Sequence, residues 1–426
     1  MKTNPLKTNP FKTNRLPVLL LVLIIFGLLC NLSCIKTGLI GFEKNLLKDV
    51  EKFNKNYGSK GVTIKNRKIK WTEEFECNGL ILKNSLIKNV ELQKVDLRNL
   101  YVENSRIEYV YTTERSDLRD STFKNVKFKN LKIHLSDLEG SIFIDCEFIN
   151  CEYSDVYLGK EYRNCKFNKI KEEDVEYYDT VVTDSIFTGC KINSIYYDAR
   201  FENVTFKNST ITETGFNLEE SNNIQFIKCF TGFSITGKVE DILIQNSKPV
   251  GQAQTFFKGD MKNVSIKDCS HSNATTLEFD GGIFSNISII NCKYPAVGFY
   301  KANLSNLLIS SSAVQHLTFG ESDVSGYNKI ENSTIFGNVY SKSKIRDLTI
   351  TNCKFKYYVD IVLSELIRLK LNNNIYETEL EYHRYLGEVR HAVKGEKYID
   401  SDKFPLKATP FPENSPYLKK HGKTVK

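Results

Sequence analysis

The stretch SDLRDSTFKNVKFKNLKIHLSDLEGSIFIDCEFINCEYSDVYLGK, residues 116–160, decides the fold because it divides into nine groups of five residues. The first residue of each group is small or aliphatic, and the third is large and apolar. The third positions are Leu118, Phe123, Phe128, Ile133, Leu138, Phe143, Phe148, Tyr153 and Leu158. Four five-residue faces would make one square coil, with the two inward side chains of each face filling the tube.

A second period of about 20 residues runs through the middle of the chain. A phrase of an apolar residue, any residue, Asn or Asp, and then Cys or Ser recurs in fourteen strong or weak copies from residue 82 to 350. Repeats of this length indicate stacked coils whose apolar faces are buried only by their neighbours. The predicted repeat core is Leu82, Val102, Phe123, Phe143, Phe206, Phe226, Ile244, Ile266, Ile289, Ile309, Ile330 and Ile350.

The groups VDLRN (95–99), SDLRD (116–120) and SDLEG (136–140) carry a family resemblance. They resemble the pentapeptide-repeat family, whose motif is a small residue, Asp or Asn, Leu or Phe, and two polar residues. The resemblance implies a right-handed quadrilateral β-helix. It is specific over 80–160 and thins after about 230, where coils of 18–23 residues look like a more general parallel β-helix.

The predicted fold class is therefore an all-β repeat, a right-handed parallel β-helix of about 14 coils of roughly 20 residues with helical caps at both ends. Caps are expected because an open end would expose unpaired strand edges. The predicted divisions are a signal peptide at 1–34, an amphipathic helix plus first strand at 35–78, the β-helix at 79–358, a C-terminal helical cap at 359–398, and a disordered Pro-rich basic tail at 399–426.

The N-terminus has the features of an export signal. Four basic residues and no acid occur within 1–15, and an uncharged stretch of 14 residues follows from Leu16 to Leu29. That length suits a signal peptide better than a membrane span of about 20 residues. Ser33-Cys34 then resembles a bacterial lipoprotein signal, which implies acylation of Cys34 and a membrane anchor in the bacterial envelope. Asn31 departs from the Leu of that pattern, so ordinary cleavage and an uncleaved anchor remain alternatives.

The net charge is less basic than it first looks. The chain has 59 Lys and Arg and 51 Asp and Glu, a net charge of +8. Cleavage before Cys34 removes four basic residues and no acid, leaving 55 against 51 and a net charge of +4. This near balance argues against a nucleic-acid partner.

Three carboxylates are the candidate chemical site. Asp96, Asp117 and Asp137 precede the central Leu of three successive coils and are expected to point outward in one column. Stacked carboxylates can bind a cation or perform acid–base chemistry. Arg98 and Arg119 follow two residues later on the same face, which favours a surface salt-bridge ladder. We predict no catalytic residue, no metal and no cofactor.

The cysteines and histidines indicate structural roles. Nine cysteines remain after Cys30 and Cys34 are set aside, an odd number that fits no complete disulfide framework. Seven occupy one register of the repeat and are predicted to be small core residues, with Cys269 and Cys292 the pair to test for oxidation. The six histidines match no metal-binding motif and are predicted to lie on the surface.

Three functions follow in order of preference. The first is an exported, lipid-anchored, non-catalytic β-helical scaffold that binds an unknown protein partner in the envelope. The alternative is a parallel β-helix enzyme, a lyase or hydrolase acting on an acidic polysaccharide in a cleft built by the uneven coils after 230. The third, DNA mimicry that inhibits topoisomerase, is implied by the family resemblance but needs a strongly acidic surface that this chain lacks.

Overall fold

Six of the nine five-residue groups in 116–160 fold as a three-residue strand followed by a corner residue in the left-handed backbone conformation, and the other three contribute an isolated bridge at Asp117, Asp137 or Tyr157. The corner residues Asp120, Asn125 and Asn130 have φ values of 57°, 51° and 54°. Asn and Asp tolerate this conformation better than other non-glycine residues, which explains their recurrence at this position. Four faces complete one turn, since Thr122 pairs in parallel with Ile142 on the next turn.

The computed structural model describes residues 50–51, 54–55, 59, 61, 63–70, 78–93, 95–112, 116–249, 254–271, 276–362, 364–376, 389–394 and 397–398. The predicted signal segment 1–34 with Cys34 and the tail at 399–426 lie outside these residues. Val50, Glu51, Asn54 and Lys55 are helical, and the rest of the predicted N-terminal helix lies outside the described residues. That helix therefore stays a prediction.

The described residues form 36 strands of one sheet. The first eighteen are β1 (Thr63–Lys70), β2 (Ile81–Lys83), β3 (Leu86–Gln93), β4 (Tyr101–Glu103), β5 (Arg106–Thr112), β6 (Thr122–Lys124), β7 (Lys127–Lys129), β8 (Lys132–His134), β9 (Ile142–Ile144), β10 (Glu147–Ile149), β11 (Glu152–Ser154), β12 (Glu161–Arg163), β13 (Lys166–Asn168), β14 (Lys171–Glu173), β15 (Val175–Tyr178), β16 (Val181–Thr183), β17 (Ile186–Thr188) and β18 (Lys191–Ile192). The others are β19 (Ser194–Lys207), β20 (Thr210–Ile227), β21 (Phe230–Gln245), β22 (Lys248–Pro249), β23 (Thr255–Lys267), β24 (Thr276–Ile290), β25 (Lys293–Ser310), β26 (Ala313–Gly320), β27 (Asp323–Ser325), β28 (Asn328–Glu331), β29 (Thr334–Ser341), β30 (Lys344–Arg346), β31 (Leu348–Thr351), β32 (Lys354–Val362), β33 (Glu365–Asn372), β34 (Ile375–Tyr376), β35 (Val389–Lys394) and β36 (Lys397–Tyr398).

All of the strand pairings between neighbouring turns are parallel. Starting at Leu86, thirteen successive pairings lead to Thr349, and each advances the chain by 18 to 23 residues. Such a ladder spaces neighbouring turns by about 4.8 Å along the axis. The predicted fold class is confirmed as a parallel β-solenoid, here with about 13 turns.

The second half of the solenoid is less regular than the first. Strands β19, β20, β21 and β23–β25 run for 13 to 18 residues and bend around corners that separate short strands elsewhere. Register shifts interrupt the ladders between Ala199 and Glu202, between Leu218 and Ser221, and between Lys258 and Met261. These shifts change the cross-section of the tube and place a cleft on its surface.

Stacked aromatic rings fill much of the tube. All twelve predicted repeat-core residues are buried, with exposed fractions of 3 % or less. In one column the ring centroids of Phe148 and Phe167 are 4.8 Å apart, and Phe187 and Phe206 are 4.7 Å apart. These distances match the strand spacing because identical positions on neighbouring turns point the same way. Burial of each such ring contributes about 1.5–3 kcal/mol relative to its exposure.

Small residues at the corners complete the core. The Ser141 hydroxyl accepts a hydrogen bond from the N–H of Ser121 at 3.1 Å and donates to the carbonyl of Leu118 at 2.9 Å. Cys146 occupies an equivalent position and directs its thiol to the carbonyl of Ile144 at 3.3 Å. A buried hydroxyl or thiol therefore satisfies backbone groups that no strand pairing reaches.

The described residues do not support the predicted C-terminal helical cap, and its segment 377–388 lies outside them. Most of the apolar run from 359 to 371 belongs to β32 and β33, and Val389 and Val393, within the span predicted as helical, lie in β35. β33 pairs in parallel with β31 and β35, so the solenoid continues where the helix was expected. No helix within the described part of the chain is long and apolar enough to cross a membrane.

Candidate functional site

Asp96, Asp117 and Asp137 lie one above another on three neighbouring turns, with Asp96 and Asp117 partly exposed and Asp137 buried at 8 % exposure. Their backbones form consecutive parallel bridges. The N–H of Leu97 donates to the Asp117 carbonyl at 2.7 Å, and the N–H of Leu118 donates to the Asp137 carbonyl at 2.8 Å. The backbone ladder thus holds the three carboxylates in the column expected from their spacing.

Two arginines bridge the column. Arg98 Nη2 lies 2.8 Å from Asp96 Oδ2, and its Nε lies 3.7 Å from Asp117 Oδ2 of the next turn. Arg119 repeats the arrangement, with Nη2 2.6 Å from Asp117 Oδ2 and Nε 3.6 Å from Asp137 Oδ2. Each guanidinium therefore neutralises a carboxylate on its own turn and approaches another on the next.

The electrostatics of Asp117 show the effect of this pairing. Partial burial alone would raise the pKa of Asp117, but hydrogen bonds from Arg119 and the charges of Arg119 and Arg98 outweigh it and hold that pKa below its ordinary value. A carboxylate held ionised and hydrogen-bonded is a poor general acid and has few lone pairs left for a cation. The column is a salt-bridge ladder, the interpretation favoured by the sequence.

The same outward face continues into tyrosines. The bridge series runs from Asp137 to Tyr157 and then Glu176. The rings of Tyr178 and Tyr197 stack with centroids 4.8 Å apart, and those of Tyr157 and Tyr178 are 6.2 Å apart. Tyr157 and Tyr178 are each 47 % exposed. We name this surface, formed by Arg98, Arg119, Tyr157, Tyr178 and Tyr197, the Arg–Tyr face.

A surface cleft of about 500 Å³ lies farther along the solenoid, where the register shifts occur. Gly237 and Gly259 stack in register near it with φ values of 113° and 105°. A Cβ at either position would overlap a backbone carbonyl oxygen of the preceding turn, at Leu218 and Gly237 respectively. Only glycine permits this close backbone approach. The sequence anticipated a cleft only from the uneven coils after 230; the 22-residue spacing of these glycines was a more specific signal for its place.

Charges of both signs line the cleft, and several are already paired. Lys262 Nζ bonds to Glu240 Oε1, and Arg200 Nη2 lies 3.8 Å from Glu202 Oε2. The Glu240 hydrogen bond and charge raise the pKa of Lys262. Further lining residues are Glu220, Lys238, Asp260 and Ile283. This mixture presents carboxylates in a concave surface without a uniform field.

One carboxylate lies inside the tube. Glu172 is 3 % exposed and accepts hydrogen bonds from Tyr177 Oη and Ser194 Oγ, each at 2.7 Å. Burial raises the pKa of Glu172 against the opposing effect of these two hydrogen bonds. Sequence reasoning missed this residue, because its position in the repeat is usually apolar.

The histidines are not all on the surface. His134 is exposed, and its Nδ1 lies 2.8 Å from Ser154 Oγ. His271 is only 5 % exposed, which corrects the prediction, because its ring stacks on Tyr294 with centroids 4.0 Å apart. Across the described ranges, no group of three or more His, Cys, Asp or Glu residues is arranged to hold a metal ion.

Comparisons with known proteins give only distant likenesses. No family model matches the chain, and no curated protein matches it. Among solved structures, the chain is similar to HetL, a pentapeptide repeat protein from the cyanobacterium Nostoc, with 6% identity, a TM-score of 0.16, and coverage of 62% of this chain and 91% of that one. The chain is also similar to QnrB1, a plasmid-mediated fluoroquinolone resistance protein, with 12% identity, a TM-score of 0.20, and coverage of 53% of this chain and 82% of that one. A third similar structure is PfbA, a surface adhesin of Streptococcus pneumoniae, with 10% identity, a TM-score of 0.22, and coverage of 83% of this chain and 92% of that one.

At these identities and TM-scores, the neighbours carry no argument about what the chain does. The fold assignment rests on the chain's own strand register, the left-handed corners and the stacked core. On that basis the protein is a parallel β-solenoid.

Proposed function

We propose that this protein is an exported, lipid-anchored and non-catalytic β-solenoid that binds a protein partner in the bacterial envelope. The observation that carries the proposal is the continuity of the Arg–Tyr face with the neutralised Asp column. The carboxylates that first suggested chemistry are engaged by Arg98 and Arg119, so the face offers a contact surface in place of a reactive site.

The composition of this face suits recognition of a protein. Tyr and Arg are enriched at the centres of protein–protein interfaces, where Tyr supplies a large apolar area together with a hydroxyl. The Tyr178 hydroxyl donates to Glu176 Oε2 at 2.6 Å, which orients its ring before any partner binds. A regular backbone ladder beneath the side chains keeps the whole surface rigid, which lowers the entropy cost of association.

Site-specific photo-crosslinking in cells tests the binding surface. A photoreactive phenylalanine analogue at Tyr157 or Tyr178 should capture one discrete partner. The same analogue at Tyr327, which is 91 % exposed, serves as the matched control. Equal capture at Tyr327 and Tyr178, or none at Tyr178, would contradict the proposed surface.

The anchor is tested separately. Radiolabelled palmitate should be incorporated into the wild-type chain, and Cys34→Ala should abolish the label and release the protein from the membrane fraction. Cys30→Ala is the control and should leave labelling intact. A wild-type chain that takes up no label would refute the lipid anchor while leaving the contact surface open to its own test.

A polysaccharide-acting enzyme is the second candidate, favoured by the carboxylates in the cleft. Glu220 and Asp260 line it together with Lys238, and glycoside-cleaving sites commonly use two carboxyl groups. If the protein cleaves an acidic polysaccharide, Glu220→Gln or Asp260→Asn should abolish the activity, whereas Glu173→Gln on another face should not. Activity that survives both cleft substitutions would place catalysis elsewhere.

A further inference from the structure

Cys269 and Cys292 lie at the same position on neighbouring turns. An isolated parallel bridge joins Ser270 to Lys293, one residue after each cysteine. The Lys293 N–H donates to the Cys269 carbonyl at 2.8 Å, which fixes the register of the two turns. Both cysteines are free thiols, with exposed fractions of 1 % and 3 %. The two sulfurs therefore meet inside the tube.

The two thiols are electronically unequal. A hydrogen bond from Cys292, helped by the neighbouring His271, lowers the pKa of Cys269 despite burial. The same hydrogen bond and burial raise the pKa of Cys292. Cys269 is the better nucleophile of the pair, since the thiolate is the reactive form of cysteine.

The imidazole of His271 is set beside this pair. Its backbone N–H donates to the Lys293 carbonyl at 2.8 Å, and its ring stacks on Tyr294. Both ring nitrogens are buried without a hydrogen-bond partner among the described residues. Buried polar atoms are rarely left unsatisfied, and such an exception calls for an explanation. A neutral imidazole has one acceptor nitrogen, and here that nitrogen is free to take a proton from a neighbouring thiol.

We propose that Cys269 and Cys292 are an oxidation site, at which hydrogen peroxide converts the two thiols to a disulfide across neighbouring turns and His271 accepts the first proton. The inference is independent of export and of the Arg–Tyr face.

The proposed chemistry has two balanced steps. His271 takes the proton of Cys269, whose sulfur attacks one peroxide oxygen; the O–O bond breaks, and the departing hydroxide takes the proton from His271 to form water. Cys292 then attacks the sulfenic sulfur of Cys269; the S–O bond breaks, and the hydroxide leaves with the Cys292 proton as a second water. Two thiols are oxidised and one peroxide is reduced to two waters.

The spacing of the turns permits the bond after a small movement. Neighbouring parallel strands lie about 4.8 Å apart, within the 4.4–6.8 Å range of Cα separations found in disulfides. The Cβ atoms must approach slightly, toward about 3.8 Å. Peroxide is small enough to enter during a local opening of the corner.

The chain contains a matched internal control. Cys146 and Cys165 share the register of Glu147 and Lys166 on neighbouring turns, and a hydrogen bond from Cys146 raises the pKa of Cys165. The Cys165 thiol bonds to the carbonyls of Phe143 and Arg163. Cys269 and Cys292 also contact backbone carbonyls, so the two pairs share spacing, burial and carbonyl contacts, and His271 is what distinguishes the first pair.

Peroxide titration of the full-length folded protein, followed by tryptic mass spectrometry, tests the proposal. Cleavage after Lys267 and Lys293 yields one peptide, 268–293, that carries both cysteines. It should lose two hydrogens well before Cys146 and Cys165 react. Oxidation of both pairs at one rate, or a 268–293 peptide that only gains oxygen, would overturn the proposal.

Two variants separate the steps. His271→Gln should slow disulfide formation about tenfold by lowering the thiolate fraction, and circular dichroism checks that it remains folded. Cys292→Ser should halt the reaction at the sulfenic acid of Cys269, which dimedone traps. If His271→Gln leaves the rate unchanged, or if dimedone labels nothing in folded Cys292→Ser, the assigned roles are wrong.

Discussion

The Tyr177 hydroxyl donates a hydrogen bond of 2.7 Å to the Glu172 carboxylate inside the tube. Ser194 supplies a second bond to the other carboxylate oxygen. Even so, burial raises the pKa of Glu172 above its ordinary value of 4.5. A carboxyl group that holds its proton more tightly in the folded state makes folding pH-dependent.

Glu172→Gln should therefore change the pH dependence of the unfolding free energy. Below pH 4.5 the carboxyl is protonated in both states and carries no penalty. As the pH rises from that value toward the raised pKa, the unfolded chain ionises first and the wild type loses stability. Because Gln does not ionise, the unfolding free energy of Glu172→Gln relative to wild type should increase as the pH rises.

Urea denaturation at a series of pH values measures this difference. Glu173→Gln is the control, because Glu173 is exposed and its hydrogen bond with Lys171 lowers its pKa. The stability of Glu173→Gln relative to wild type should change only slightly with pH, and in the opposite direction to that of Glu172→Gln. A wild-type and Glu172→Gln difference that stays constant with pH would disprove the buried, proton-retaining state of Glu172.

The aromatic column predicts a large cost for removing one ring. Phe206 stacks on Phe187 at 4.7 Å and on Phe226 at 5.1 Å and is fully buried. Phe206→Ala should lower the free energy of unfolding by about 3–5 kcal/mol, because it leaves a cavity that rigid turns cannot close. Phe230→Ala, at a ring 50 % exposed, should change it by less than about 1 kcal/mol. Equal effects of the two substitutions in denaturant titrations would contradict the described packing.

The salt-bridge ladder predicts a change in the titration of Asp117. Arg119→Ala removes the hydrogen bonds that oppose burial, so the pKa of Asp117 should rise, as measured by carboxyl ¹³C chemical shifts. The lost stability should be about 1 kcal/mol or less, since the groups are partly exposed. A carboxyl whose pKa is lower in the folded state stabilises the protein at pH values above its unfolded-state pKa. The stability lost in Arg119→Ala should therefore appear at neutral pH and vanish as the pH falls through the folded-state pKa of Asp117.

Arg163→Ala provides the control for the ladder, because Arg163 pairs with Glu161 on its own turn. It should leave the Asp117 titration unchanged. An Asp117 pKa that does not move in Arg119→Ala would mean that the two groups do not interact in solution.

The sequence allowed much of this molecule to be predicted, because the repeat is local. Five-residue spacing through Phe123 and Phe128 and recurring Asn or Asp corners determine strands, turns and core at once. The apolar run at 359–371 was ambiguous, since periodicity alone does not separate a buried helix from buried strands. Glu172 and the residues that line the cleft were missed for a different reason. Their properties depend on register between turns, such as the shift between Leu218 and Ser221, which no single turn encodes.

The stacked glycines beside the cleft predict a position-specific steric effect. Gly259→Ala should lower the free energy of unfolding by more than about 3 kcal/mol, because a φ of 105° is strained for alanine and its Cβ would overlap the Gly237 carbonyl oxygen. Gly281→Ala is the matched control: its φ is 55° and no atom lies within 4 Å of the added Cβ. That change should cost only about 1–2 kcal/mol. Denaturant midpoints for the two variants separate backbone strain from overlap, and a Gly259→Ala protein as stable as Gly281→Ala would show that the turns do not approach as closely as described.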